Sequence, residues 1–475
     1  MEKKRVLLID PSYEEIYSKS NFHLYKSSSK NKNKKVPYNP VLGLAAIGGV
    51  LLRENCEVKI LDMNLPDQSA SLGEVLESFK PDFVGITFVS GLFNEAKTIA
   101  ESIKRSDNKI IIFGGGAHCS AFPEQTLKDS MLDLAVVGEA DITIAEIVNG
   151  KPLSEIKGIS YKKDGEIFNN PKRELLQDMD SLPFPAWHLY DIQRYHAPIT
   201  VSRKTPAGWL ETSRGCVFGC IYCTKSIFSR RFRVKSQKRV LDEIEYMLNL
   251  GFKEIQIADD CFNTDMKRAK EICDGIISRG LKFPWCTLTG IRVDLVDEEL
   301  LYKMKKAGCY RVYFGIESGN QELINRVDKA ITLDKVRNAV KLANQAGLET
   351  VGYFMLGLPD ETEETMRQTI DFAKELDLDL AKTTITSPLP STKLYEEYDK
   401  KGLIKIKDWS QFNLYITPRE VYTHPTLEWD IVEEYNKKFY REFYLRPKFI
   451  LKRLIKGIIH GTLFSDFKQM ISTHW

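Results

Sequence analysis

The chain twice runs through the same alternation, and this constrains its fold more than any other feature. Apolar runs of strand length at residues 5–11, 57–64, 82–90, 109–114 and 134–138 alternate with helical segments at 42–54, 71–79 and 93–105. Strands that are apolar on both faces and separated by helices pair in parallel, with helices covering both sides. Residues 1–150 are therefore expected to form a doubly wound, Rossmann-like parallel sheet. The alternation resumes at Gly208, with expected strands at 209–213, 254–258, 285–290, 310–315, 349–356 and 381–386 and Ser236 as a helix N-cap. Six β/α units make a partial (β/α)6 barrel of the TIM type, with its site at the C-terminal ends of the strands. The fold class is α/β. Between the two units, residues 151–205 read as a linker, with a hairpin pattern around Asp164-Gly165 and a Pro-rich stretch at 180–187. The barrel is expected to span residues 206–395. Residues 396–475 read as a helical, basic and aromatic extension. At 475 residues the chain is too long for one ordinary domain.

The first strand of the second unit leads into E-T-S-R-G-C-V-F-G-C-I-Y-C-T-K-S, with Cys216, Cys220 and Cys223 spaced C-x3-C-x2-C. Three thiolates fall short of the four-cysteine set of an ordinary iron–sulfur cluster, but they can hold three irons of a cubane and leave the fourth open. A zinc site takes four ligands, usually as two pairs, and no partner pair follows. The other strand ends of this unit carry Asp259-Asp260, Arg292, Glu317-Ser318 and Gly357. The later cysteines Cys261, Cys273, Cys286 and Cys309 have no metal spacing.

The cysteine spacing, with Tyr222 before the last cysteine, resembles that of the radical S-adenosylmethionine (SAM) enzymes. The resemblance covers residues 206–395. It implies a [4Fe-4S] cluster on Cys216, Cys220 and Cys223, whose open iron binds SAM and cleaves it to a 5′-deoxyadenosyl radical. It implies that Tyr222 and Gly357 lie along the adenine, Asp259 and Asp260 near the SAM amino group, and Glu317 and Ser318 at the ribose or methionyl part. Arg292 would hold the SAM carboxylate or the substrate.

In the first unit, glycine-bearing turns sit at strand ends: Ser90-Gly91-Leu92 after the third strand, Gly114-Gly115-Gly116-Ala117-His118 after the fourth. Bare backbone at a strand end lets a ligand approach closely. Together with Gly138-Glu139-Ala140-Asp141, these turns resemble the cobalamin-binding domain of cobalamin-dependent radical SAM proteins. The resemblance implies that Ser90, Leu92, Gly115, Gly116, His118 and Glu139 surround cobalamin. The place of the cobalt-ligating His in methionine synthase reads Asp10-Pro11-Ser12-Tyr13-Glu14-Glu15, so no histidine is expected below the metal.

The implied activity is C-methylation of an unactivated carbon of a lipid-like or secondary-metabolite substrate, fed by an external one-electron reductant of flavodoxin or ferredoxin type. Cobalamin-assisted cyclisation, ring contraction or C–C coupling, and a non-catalytic corrinoid- or SAM-binding sensor, are the alternatives. A formal charge of +3 over the whole chain does not point to nucleic acid. No secretory pattern opens the chain, and its nine cysteines fit a reducing, cytoplasmic setting. The Ser-, Asn- and Lys-rich stretch at 18–36 reads as a long loop, a solvated insertion or a lid over the corrin. In the tail, Ile450, Leu451, Leu454, Ile455, Ile458 and Ile459 share one helical face, with Lys448, Lys452 and Lys456 beside it. Such a helix either lies on a membrane surface or packs on the barrel.

Overall fold

A computed structural model describes residues 3–14, 39–65, 72–197, 201–406, 408–412 and 418–460; the 18–36 insertion and residues 461–475 lie outside them. The first unit is a seven-stranded sheet of order β2-β1-β3-β4-β5-β6-β7. β1 (Arg5–Asp10), β2 (Glu57–Asp62), β3 (Phe83–Thr87), β4 (Ile111–Gly115) and β5 (Leu134–Val136) are parallel. The helices of this unit are α1 (Leu42–Arg53), α2 (Leu72–Phe79), α3 (Phe93–Ser106), α4 (Ala117–Ala121), α5 (Pro123–Lys128) and α6 (Asp141–Val148). β3 ends before residue 90 because Ser90–Leu92 wind into a 3-10 turn that feeds α3.

The sheet continues past residue 150. β6 (Ile159–Lys163) and β7 (Glu166–Asn169) add to it as an antiparallel hairpin. Asp164 and Gly165 both have positive φ, 51° and 84°, as a two-residue hairpin turn requires. Further along the connector, Trp187, Tyr190, Ile192 and Tyr195 are buried. Trp187 is fully buried and meets Phe252 edge-on, with ring centres 5.6 Å apart. One apolar cluster therefore runs from Val6 and Leu44 through Trp187 and Tyr195 to Met247 and Phe252, so the two units share a core.

The second unit is a six-stranded parallel sheet of order β15-β14-β13-β12-β11-β8. Its strands are β8 (Ala207–Leu210), β11 (Glu254–Ile257), β12 (Trp285–Ile291), β13 (Cys309–Glu317), β14 (Glu349–Leu356) and β15 (Leu380–Ile385). Between and after them lie α7 (Gln237–Leu250), α8 (Met266–Ser278), α9 (Glu298–Lys306), α10 (Gln321–Arg326), α11 (Leu333–Gln345), α12 (Glu363–Glu375) and α13 (Lys393–Lys400). Ser236 caps α7 by accepting from Arg239 N–H. The first strand stops at Leu210, short of the expected 213. The chain breaks there, and β9 (Ser213–Arg214) pairs antiparallel with β10 (Arg233–Val234), pinching residues 215–232 into a closed loop.

Among the described residues three α-helices follow: α14 (Pro418–Val421), α15 (Trp429–Tyr444) and α16 (Pro447–His460). α15 packs on the barrel through Val432, Phe439 and Phe443. It also closes the open edge of β15. Tyr444 Oη accepts from Ala381 N–H (3.1 Å) and donates to Ala381 O (2.7 Å). One turn earlier, Tyr440 Oη does the same for Thr383 (3.1 and 3.2 Å). Edge backbone groups are thus paired without another strand. α16 keeps an exposed apolar face, with Leu451 61%, Ile455 51% and Ile458 70% exposed. Of its basic stripe, Lys452 turns inward to Asp377 (2.9 Å) and Asp379 (3.2 Å), while Lys448 stays exposed. Among the described residues no helix is long and apolar enough to cross a membrane.

Candidate active site

The cysteine loop is held at its root from several sides. Gly215 has φ 84°, and a Cβ there would lie 2.2 Å from Arg231 O, so only glycine fits. Its N–H donates to Asp260 (3.0 Å). Asp259, fully buried, accepts from Thr212 N–H (2.6 Å), Thr212 Oγ1 (2.5 Å) and Ser213 Oγ (2.6 Å). Burial raises its carboxyl above the usual range. Expected at the SAM amino group, Asp259 instead ties the end of β11 to the root of the loop, and Asp260 is the member of the pair that reaches the loop itself.

Arg292 lies 3.5 Å over the Phe218 ring, inside the loop. It donates to both Asp294 oxygens (2.8 and 3.0 Å) and to the carbonyls of Lys329 and Ala330 (3.0 Å each). These bonds take up most of its five donors, so the structure makes Arg292 a brace of the loop rather than a free cation.

Within the loop Cys216 and Cys220 are half-buried and Cys223 is exposed; all three are free thiols. Lys225 Nζ lies 3.6 Å from the Cys223 sulfur. Tyr222 donates to Glu317 (3.1 Å), which also holds Lys329 Nζ (2.6 Å). Glu317 sits at φ 68°, where β13 slips register. A non-glycine residue kept in the left-handed region costs about 1–3 kcal/mol, a strain concentrated at functional positions. Ser318, by contrast, is fully buried, bonded to Thr369 Oγ1 (3.0 Å) and to Asn320 N–H (3.1 Å). It shapes the turn. Gly357 (φ 72°) turns the chain out of β14. Among the described residues no three His, Cys, Asp or Glu side chains converge on a single ion. The three thiols carried on the loop closed by β9 and β10 match the thiolate set of a cubane, which takes each at a separate corner iron.

In the first unit, Ser90 Oγ lies 3.0 Å from His118 Nδ1, and Leu92 is buried. Gly116 has φ 105°, and a Cβ there would meet Phe88 O at 2.7 Å; a Cβ on Gly115 would meet open space. This bare stretch fits a ligand lying against backbone. His118 belongs to α4 rather than to an open turn. Its ring is enclosed by Phe88, Phe93, Phe122 and Trp409, at 4.7 to 5.7 Å between centres. Burial lowers its pKa to about 4, and Nε2 has no partner. Trp409, from the C-terminal extension, also borders a cleft of about 680 Å³ with Phe93, Lys97 and Lys128.

Glu139 does not face these turns. It joins a buried ion cluster between the units, accepting from Arg233 (2.8 Å), Arg214 (3.1 Å) and Leu176 N–H (2.9 Å). Arg214 also binds Asp141 (2.7 Å) and Glu211 (2.8 Å). Because Arg214 precedes Cys216 by two residues, this cluster holds the cysteine loop at the carboxyl end of the first sheet. Arg214, Arg233, Lys329 and Trp409 were not singled out from sequence. An arginine two residues before the first cysteine was the one available signal; the others come from distant segments.

Comparison with known proteins places the chain's family and fold. The Radical SAM superfamily profile matches residues 210–373, and that of the B12 binding domain matches 36–148. The chain is 36% identical over 439 residues to an uncharacterized methyltransferase of Pyrococcus horikoshii, covering 88% of this chain and 93% of that protein. It is 30% identical to the cytidylyl-2-hydroxyethylphosphonate methyltransferase of Streptomyces wedmorensis, covering 76% of this chain and 78% of that protein. Its fold is similar to that of OxsB, solved with aqua-cobalamin and SAM (TM-score 0.72, 18% identity, 98% of this chain and 72% of that one). It is similar also to TsrM from Kitasatospora setae, solved with cobalamin and a [4Fe-4S] cluster (TM-score 0.70, 18% identity, 94% and 90%).

Proposed function

The chain belongs to the cobalamin-dependent radical SAM methyltransferase family, and from that premise we propose that it C-methylates an unactivated carbon of a small molecule. The cofactors of the family are a [4Fe-4S] cluster, SAM and cobalamin. When bound, they supply a carbon radical and a methyl carrier, the chemistry no side chain here provides. The observation that carries the reading is the Arg214 cluster, which places the cysteine loop against the carboxyl ends of the first sheet.

In this reading Cys216, Cys220 and Cys223 hold the cluster. Tyr222, Asp260, Glu317 and Gly357 border SAM, whose ammonium and hydroxyls suit carboxylate acceptors. Asp259 and Ser318 shape that wall from behind. Ser90, Leu92, Gly115, Gly116 and His118 border cobalamin. His118, held neutral, offers its unpartnered Nε2 to a polar group of the cofactor. An external one-electron carrier of flavodoxin or ferredoxin type would be the reductant partner of such a site.

A specific observation favours an apolar, membrane-located substrate. α16 exposes Ile450, Leu451, Leu454, Ile455 and Ile458 in one stripe next to Lys448. A basic helix with an apolar face suits an anionic lipid surface. Sedimentation with phosphatidylglycerol vesicles but not with phosphatidylcholine vesicles is expected; binding to neither would remove the membrane component.

The experiment for the main reading is iron and corrinoid content of anaerobically purified protein, followed by turnover products. About four irons and one corrinoid per chain are expected, with iron lost in Cys220→Ala while the fold is kept. S-adenosylhomocysteine formed alongside 5′-deoxyadenosine supports methyl transfer. 5′-Deoxyadenosine alone points to cyclisation or coupling. Absence of iron from the wild-type chain refutes the reading.

A further inference from the structure

The barrel interior holds a lysine that the described residues leave without a counter-charge. In the β14–β15 register Lys382 is the neighbour of Tyr353, so the two side chains share a face. That face is the interior one. Tyr353 stacks on Tyr313 of β13 (5.5 Å between centres) and donates to Leu288 O of β12 (3.3 Å). The next residue, Phe354, points the other way onto Phe439 of α15 (5.2 Å). Thr384 lies two residues beyond Lys382 on the same side of the strand, toward the carboxyl end. It is exposed although it faces inward, so the interior is open at this level.

The nearby interior acids are already engaged. Glu349 holds Arg311 (2.9 Å) and Arg203 (2.6 Å). Glu254 accepts from Tyr310 (2.8 Å) and from the N–H groups of Arg203 and Lys204 (2.7 and 2.8 Å). Glu317 is taken by Lys329 (2.6 Å). Among the described residues Lys382 has no ion pair and no hydrogen bond. Burial lowers its pKa, and the charge it feels next, Arg311, lowers it further. Lys382 is half-buried, and its ammonium, facing the open interior with no anion beside it, is placed to take one from a ligand.

We propose that Lys382, beside the Tyr313–Tyr353 pair on the open interior of the barrel, binds an anionic group of the substrate, a carboxylate or a phosphate or phosphonate. The proposal rests on the methyltransferase reading and takes the open interior of the barrel as the place where the substrate enters. The anion supplies the missing counter-charge and fixes one end of the substrate, so that the carbon to be attacked is set by its distance from Lys382. A neutral, wholly apolar substrate leaves the lysine unexplained.

The test reads Lys382 directly and requires no turnover, so its failure is distinct from failure of the methyltransferase reading, which shows in iron content and products. Anaerobically purified full-length protein is briefly acetylated with acetic anhydride at low ionic strength. Labelling of Lys382 is then measured by mass spectrometry against exposed Lys163. Separate arms contain inorganic phosphate, methylphosphonate, acetate, or SAM alone. Lys382 is expected to be labelled without additive. A site with Kd of about 5 mM would slow that labelling about threefold in about 10 mM phosphate, phosphonate or acetate. Lys163 should not change. Whichever anion protects names the substrate's group. Equal labelling in all arms overturns the proposal, as does no labelling of Lys382 in any arm. Protection by SAM alone assigns the lysine to SAM and overturns it equally.

Discussion

Replacement of Arg214 by methionine tests the idea that the two units are locked together by charge. Arg214 is buried and is the partner of Asp141, at 2.7 and 3.3 Å. Its removal leaves Asp141 in place but stranded. Glu139 keeps Arg233 at 2.8 Å and Leu176 N–H at 2.9 Å, so it is not stranded. Glu211 loses a 2.8 Å bond in a site where burial already raises its carboxyl. The dominant cost is one uncompensated buried carboxylate, and breaking such a pair costs about 3–5 kcal/mol. Replacing both partners with apolar groups removes the stranded charge, and such replacements are often neutral. Urea unfolding followed by far-UV circular dichroism should therefore show R214M losing about 3–5 kcal/mol, and R214M/D141L recovering at least about half of it. A loss below about 1 kcal/mol in R214M, or a double variant that is no better than the single one, would refute the reasoning.

Two further predictions follow from buried polar groups. Burial raises the Glu361 carboxyl to about 8, and one of its oxygens has no partner. Its folded pKa is raised, so the stability it contributes is full below the unfolded pKa of about 4.3 and is lost as pH rises through about 8. Glu361→Gln should flatten this dependence, and the gap between the urea-unfolding free energies of variant and wild type should widen by a few kcal/mol from pH 5 to 8.5; parallel profiles would contradict it. Tyr444→Phe strips the N–H and C=O of Ala381 of their partner and should cost about 1–3 kcal/mol. The Ala381 amide should then exchange faster with solvent, and unchanged exchange would show that the edge is satisfied in another way.

The strands and helices were legible because their apolar periodicity is local, and the errors fall where a distant partner decides. The strand expected at 209–213 breaks at Leu210 because Ser213-Arg214 find a second partner in Arg233-Val234, about twenty residues on. The hairpin around Asp164-Gly165 was visible as a turn, but not its docking on β5, since an edge strand's partner is a matter of topology. The cysteine loop was legible from spacing alone. The jobs of single carboxylates and guanidiniums were not. Asp259, Asp260 and Arg292 all stand at strand ends as expected. Which of them is spent on the protein depends on Thr212, Gly215 and Phe218, reached through folding. Glu139 shows the same limit, because its arginines arrive from the other unit.

The extension after residue 395 is part of the working structure, because it completes both units at once. On the barrel side, the hydroxyls of Tyr440 and Tyr444 stand where a further strand would pair with β15. They close the edge while leaving the inward face of β15, with Lys382 and Thr384, uncovered. A seventh strand would satisfy the same backbone groups but would extend the wall and narrow the opening; a helix laid along the outside does not. On the other side, Trp409 closes the aromatic enclosure of His118, and Asn94 of α3 donates to Asp408 (3.3 Å). A single segment thus borders the bare glycine turn of the first unit and supports the open edge of the second.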